Sequence, residues 1–392
     1  MLLEIYKETY TILVNAGKEE KSDPKKADEI YRCGIDQDSD NPFLLGAYAD
    51  FLSNICQDYD RAEQYYKRAI EADPNHVNTL GNYVVFLKNI RKDYDKAEEF
   101  YLRAFDVAPQ DADFLGNYAN LLCDIRKDYD KAEAYYQRAL DADPQHANNL
   151  GNYANYLYST RKDYDKAEEY YLKALDANPQ YVLALGNYAV FLMEIRKDYD
   201  KGEEYYRRAL NADPQNANIL GNYATFLKDV CRDYDKAEEY YLKALDADPK
   251  HANNLGNYAT FLEEIRKDYD KAEEYYKRAL EANPQHADHL GNYAVFLKNI
   301  REDYDTAEEY YKRALEADPQ DATNLSNYAK FLTVVRQEYD EAEKYYLQSI
   351  SIEPNNRSIL RNYAIFLQGV RKDKEKANEY FKRAEVEQSE GA

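Results

Sequence analysis

The 392-residue sequence has no tryptophan, two methionines, four cysteines and five histidines, and 52 Lys and Arg stand against 74 Asp and Glu, a formal net charge of −22. So large a shortage of cations leaves no electrostatic footprint for phosphate backbones or anionic lipid surfaces. Neither nucleic acid nor membrane is an expected partner. No stretch approaches the roughly 18 uncharged apolar residues of a membrane span. The start, Met1 to Glu8, carries charge too early for the apolar core of a signal peptide. Cys33, Cys56, Cys123 and Cys231 lie far apart with no CxxC pair, so they read as reduced thiols, and a cytoplasmic location is expected. Phosphate loops, nucleophile elbows and HExxH are missing too. His286 and His289 form an HxxH with no cysteine nearby, while His76, His146, His251 and His286 share one phase after a proline, the place of a turn or cap. No catalytic residue, metal site or cofactor is expected. What is plentiful is aromatic surface, 43 Tyr and 13 Phe, enough to argue against disorder.

That surface is distributed periodically. Prolines fall at 74, 109, 144, 179, 214, 249, 284, 319 and 354, each 35 after the last, and glycines keep the same interval from 46 to 291. A fixed period of 20–50 residues signals stacked repeats. Ten units cover 43–388, residues 1–42 form a degenerate capping pair with Ala27, Tyr31 and Ile35 in phase, and 389–392 are expected to be a disordered tail.

Each unit carries two helical stripes. In one unit, Leu255, Tyr258, Ala259, Leu262 and Ile265 mark the first, and Tyr269, Ala272, Tyr276, Ala279 and Leu280 the second. Asp268 or Asp270 starts the second helix as N-cap, and Pro284 ends it. Of the pair Tyr275-Tyr276, one ring should enter the core and the other cover the adjoining helix. The last unit has Lys374 and Glu385 where inner units carry Tyr and an apolar residue, as a terminal cap requires.

The string Tyr-Asp-Lys-Ala-Glu-Glu-Tyr-Tyr, followed by Ala-Leu and Pro, resembles the tetratricopeptide repeat, with Leu115, Tyr118, Ala119, Leu122, Ala132, Tyr136, Ala139 and Pro144 at the matching positions of one unit. The period is one residue longer than the family's usual 34, and the surplus is placed near Arg126-Lys127. Tyr-Ala-x-Phe with Tyr-x-Arg-Ala-Leu also resembles half-a-TPR repeats of RNA-processing scaffolds. Those usually carry Trp and an acidic residue after Phe, where this chain has Leu262, so the standard repeat is favoured. The resemblance implies an all-α, right-handed superhelical α-solenoid of about eleven helix-turn-helix repeats, with a concave groove lined by first helices that holds a protein or peptide.

Projected at 100° per residue, the groove positions are −3, 0, +4, +7 and +8 relative to the glycine, and apart from the glycine they vary most between units. Candidate partner-binding residues are Asn120, Asn155, Tyr158, Leu183, Val190, Met193, Lys228 and Lys298, with Tyr158, Leu183, Val190 and Met193 as an apolar anchor. The recurring glycine is read as close approach between neighbouring first helices, and the Asn after it as a source of bonds between repeats. A chaperone-tail clamp is disfavoured, because its lysine position is Gly in eight units. The expected function is a non-catalytic interaction scaffold. A self-assembling structural rod and the sensor arm of a larger protein are the alternatives.

Overall fold

A computed structural model describes residues 2–385, with side chains from residue 8 onward. The expected tail at 389–392 lies outside the described residues. Twenty-two α-helices follow one another as eleven helix-turn-helix hairpins, with no strand among the described residues, so the chain is an all-α solenoid. Its contacts divide into two compact units, 1–205 and 206–392. The first hairpin pairs Leu2–Glu19 with Pro24–Gln37, and the eighth, typical of the rest, pairs Ala252–Phe261 with Tyr269–Ala282.

The thirty-fifth residue is absorbed at the end of each first helix. In the eighth hairpin the α-helix stops at Phe261 and passes into a π turn, Leu262–Arg266, closed by Lys267 at φ 57°. The Leu262 carbonyl accepts from the amides of both Lys267 and Asp268. Asp268 is then the N-cap of the second helix, its side chain accepting from the Lys271 amide at 3.3 Å. Asp270 has a different use, pairing with Arg301 of the next hairpin at 2.7 Å. Every hairpin from the second on repeats this turn, and in each the left-handed residue carries a side chain, for instance Gln57, Lys127, Arg232, Glu302 and Lys372.

Both aromatic predictions hold. Tyr275 meets Tyr258 of its own hairpin edge-on at 4.8 Å, while Tyr276, almost wholly buried, packs on Tyr293 and Phe296 of the next at 5.7 and 5.5 Å. One tyrosine closes a hairpin and its neighbour joins two. Burying 150–250 Å² of ring at about 25 cal/mol per Å² is worth several kcal/mol before chain entropy is subtracted. Phe261, absent from the predicted stripe, is fully buried, whereas Ile265 within the π turn is only half-buried.

An arginine finishes eight of the ten π turns among the described residues. Arg266 donates from Nη2 to Asp235 at 2.7 Å and from Nε to Glu238 at 2.8 Å, both on the preceding hairpin, and lies over the Phe261 ring at 5.4 Å. Glu238 also accepts from the Tyr258 hydroxyl at 3.1 Å. Arg91, Arg126, Arg161, Arg196, Arg301, Arg336 and Arg371 make the same pair of contacts, while Cys56 and Cys231 occupy the equivalent positions of their hairpins. Such partly exposed pairs contribute about 1 kcal/mol or less, so they set register while the rings supply most of the cohesion.

A left-handed residue with a Cβ costs about 1–2 kcal/mol. Lys267→Gly should therefore raise hydrogen-exchange protection across the second helix of its hairpin about fivefold, with little change in distant hairpins.

Candidate functional site

The first-helix face is defined by what the packing leaves over. The position three before the glycine is exposed at Asn78, Asp113, Asn148, Leu183 and Asn253, as is the position eight after it at Asn89, Asp124, Glu194, Asp229 and Glu264. The other projected groove positions are mostly drawn inward, although Val85, Lys330 and Ile365 at +4 stay exposed. At the glycine itself, the next first helix lies so close that a Cβ on Gly221 would collide with the Asn254 side chain, and one on Gly256 with the His289 ring. Asn254 uses that gap to donate to the Ala217 carbonyl at 2.9 Å. Close approach is thus the reason for the glycines. The asparagine at the next position serves the same junctions in two hairpins: Asn82 donates to Asp50 at 2.6 Å and Asn362, after Arg361, to Ser326 at 3.2 Å.

Position +4 serves the hairpin's own interior. Asn120 and Asn155 each accept the hydroxyl of a second-helix tyrosine, Tyr136 and Tyr171, at 2.5 Å. Thr225 and Thr260 meet Tyr241 and Tyr276 at 3.0 and 3.2 Å. Where Val295 stands instead, the buried Tyr311 hydroxyl has no partner. Position +7 falls within the π turn, where an additional residue upsets the 100° projection and the side chain becomes half-buried. The Tyr158 ring meets Phe191 edge-on at 5.8 Å and its hydroxyl donates to Glu194. Met193 lies against Gly202, which replaces the alanine found at 97, 132, 167 and 237.

Tetratricopeptide repeat models match residues 57–121, 110–180, 154–217, 215–285 and 265–322, and a model described as TmcB, TPR repeats matches 320–391. The chain belongs to the tetratricopeptide repeat family. It is similar in fold to yeast Tom70, with 16% identity over 96% of this chain and 91% of that one and a TM-score of 0.52. It is also similar to human IFIT1, solved as a dimer with PPP-AAAA, with 17% identity over 87% and 90% and a TM-score of 0.56. No curated protein matches the sequence.

In this TPR array the apolar candidates gather on the sixth hairpin. Leu183 and Val190, seven residues apart, share one face of the first helix Val182–Phe191. Leu183 is 50% exposed, Val190 is half-buried, and Tyr158 reaches this hairpin from the one before. The remaining candidates lie elsewhere. Asn120 and Asn155 have their amide oxygens occupied. Lys228 is largely covered and sits 3.2 Å from Asp229 and 3.8 Å from Glu264. Lys298 is half-buried, and both burial and the nearby Lys330 hold its ammonium below the usual lysine range. Among the described residues no group of three or more His, Cys, Asp or Glu could hold a metal ion, and no helix is long and apolar enough to cross a membrane.

The histidines act as caps and spacers. His146 and His251 accept from the amides of Asn149 and Asn254 at 3.4 Å. His289 stacks on His286 at 3.8 Å, and burial, reinforced by His286, pushes its imidazole down to about 4.

Two predictions come from these junctions. Gly221→Ala should lower stability by about 1–3 kcal/mol through loss of the Asn254 bond, outweighing the roughly 1 kcal/mol helical advantage of alanine; Gly221→Ala with Asn254→Ala should recover most of it in thermal unfolding. His289 titrates lower in the fold than in the unfolded chain, so its neutral form is favoured. Stability should be full above pH 6.5 and fall by up to about 3 kcal/mol as pH drops toward 4, a slope that His289→Asn should flatten.

Proposed function

We propose that this TPR array is a non-catalytic scaffold that holds a protein or peptide segment along its first-helix face, with the sixth hairpin as the apolar contact. The observation that supports this most directly is the division of labour on the first helix. Repeated positions are consumed by packing, whereas the outermost positions, −3 and +8, change from unit to unit. Asn148, Leu183 and Asn253 occupy the first, and Ser159, Glu194 and Asp229 the second. Half-exposed Leu183 beside half-buried Val190 is an apolar feature of that face that a partner can cover without unpacking the hairpin. Tyr158 and Met193 are already engaged by neighbours, so they shape the floor and Leu183 makes the contact.

The test is quantitative. A partner captured by the wild-type chain should bind Leu183→Asp at least tenfold more weakly. Leu172→Asp, on an equally exposed second-helix leucine, should leave affinity unchanged. Equal losses for both variants, or for neither, would remove the sixth hairpin from the reading.

A further inference from the structure

Asp50 stands at +4 of the second hairpin, the position that Asn120, Asn155, Thr225 and Thr260 hold in others. Its Oδ1 accepts from the Tyr66 hydroxyl at 2.5 Å and its Oδ2 from Asn82 at 2.6 Å. The neutral residues elsewhere accept the same tyrosine bond, so the hairpin has no need of the charge. Yet the charge is held at a cost. Asp50 is half-buried, it forms no ion pair among the described residues, and the charged neighbour that acts on it, Glu20, has the same sign. Burial and Glu20 together push its carboxyl up to about 6, against the two hydrogen bonds. A half-buried carboxylate with no cation beside it keeps its charge at a cost that a donor from outside the hairpin would offset.

It opens onto a cavity of about 280 Å³ lined by Ser53, Asn54, Val85, Asn89 and Ile90. That is just below the size of small-molecule sites and suits a single long side chain. Each carboxylate oxygen keeps acceptor capacity beyond its one bond. The oxygens of Ser53, Asn54 and Asn89 can take further donors, and the exposed faces of Val85 and Ile90 can lie along a methylene stem. We propose that this cavity is a subsite for a basic side chain, arginine above all, of a partner segment lying on the first-helix face. A guanidinium has five donors and no acceptor, the complement of this lining, and the net charge of −22 draws such a partner in. The inference rests on the scaffold reading and adds the chemistry of one contact to it.

Asp50→Asn removes the charge and retains an acceptor for Tyr66, as Asn120 provides for Tyr136, and the exposed Asn82 can turn its amide to present the oxygen, so the variant should fold with little change in thermal unfolding. The probe is a fluorescein-labelled, acetylated and amidated nonapeptide of alternating alanine and arginine, with a citrulline counterpart, read by anisotropy in 150 mM salt at pH 7.5. Asp50→Asn should weaken the arginine peptide at least tenfold, and the control Asp106→Asn, on an exposed second-helix carboxylate, less than twofold. In carbon NMR, saturating arginine peptide should lower the Asp50 titration by a unit or more. Equal effects of the two variants, an unmoved Asp50 titration, or no preference for arginine over citrulline would overturn the subsite. The Leu183 comparison, on a different hairpin, would stand or fall separately.

Discussion

Each hairpin has to fit one residue more than a 34-residue repeat and still hand the chain to the next at the same register. The π turn solves this at a single place. It widens the last turn of the first helix, sends the next residue into the left-handed region, and delivers an aspartate to cap the second helix. The arginine that closes the turn thereby reaches two carboxylates of the preceding hairpin and the face of its own phenylalanine. Ten left-handed residues with side chains are the standing cost of that arrangement.

Given this turn, the rest of each repeat has little freedom. Paired tyrosines on the second helix divide the work of closing one hairpin and joining two, and the tyrosine hydroxyls find acceptors at +4 or on a glutamate. Glycine admits the side chain of the next first helix into a space that alanine would fill. Where a unit departs from the pattern, the departure is met nearby: Gly202 makes room for Met193. Where it is not met, a polar group is stranded, as at the Tyr311 hydroxyl above Val295.

Variation between units is greatest where this packing leaves side chains over. On the first helices that means the exposed ends of the face and the half-buried positions between them. Leu183 offers apolar contact and Asp50 an unneutralised charge, and the two are chemically distinct features of the same kind of surface. Because stability in a stacked array is carried by neighbouring units, such positions can change one at a time without loss of the fold.

The period, the two helical stripes and the roles of the paired tyrosines were legible in the sequence, because burial recurs every 35 residues and leaves a mark in every unit. The reason for the glycines was legible for the same cause, as was the location of the surplus residue. The π turn was not, since widening one turn changes no residue type, and so the 100° projection misplaced +7. The ambiguity between Asp268 and Asp270 needed the tertiary structure too: both fit a cap locally, and only Arg301 on the next hairpin separates them. The unused charge of Asp50 was hidden likewise, because the sequence shows a carboxylate there and an amide at Asn120 but not what stands beside either. Their surroundings appear only with the packing, which supplies Asp50 with no cation among the described residues. Local chemistry determined which helices form; which side chains remain free was decided by the stacking of one hairpin on another, because only that stacking sets burial.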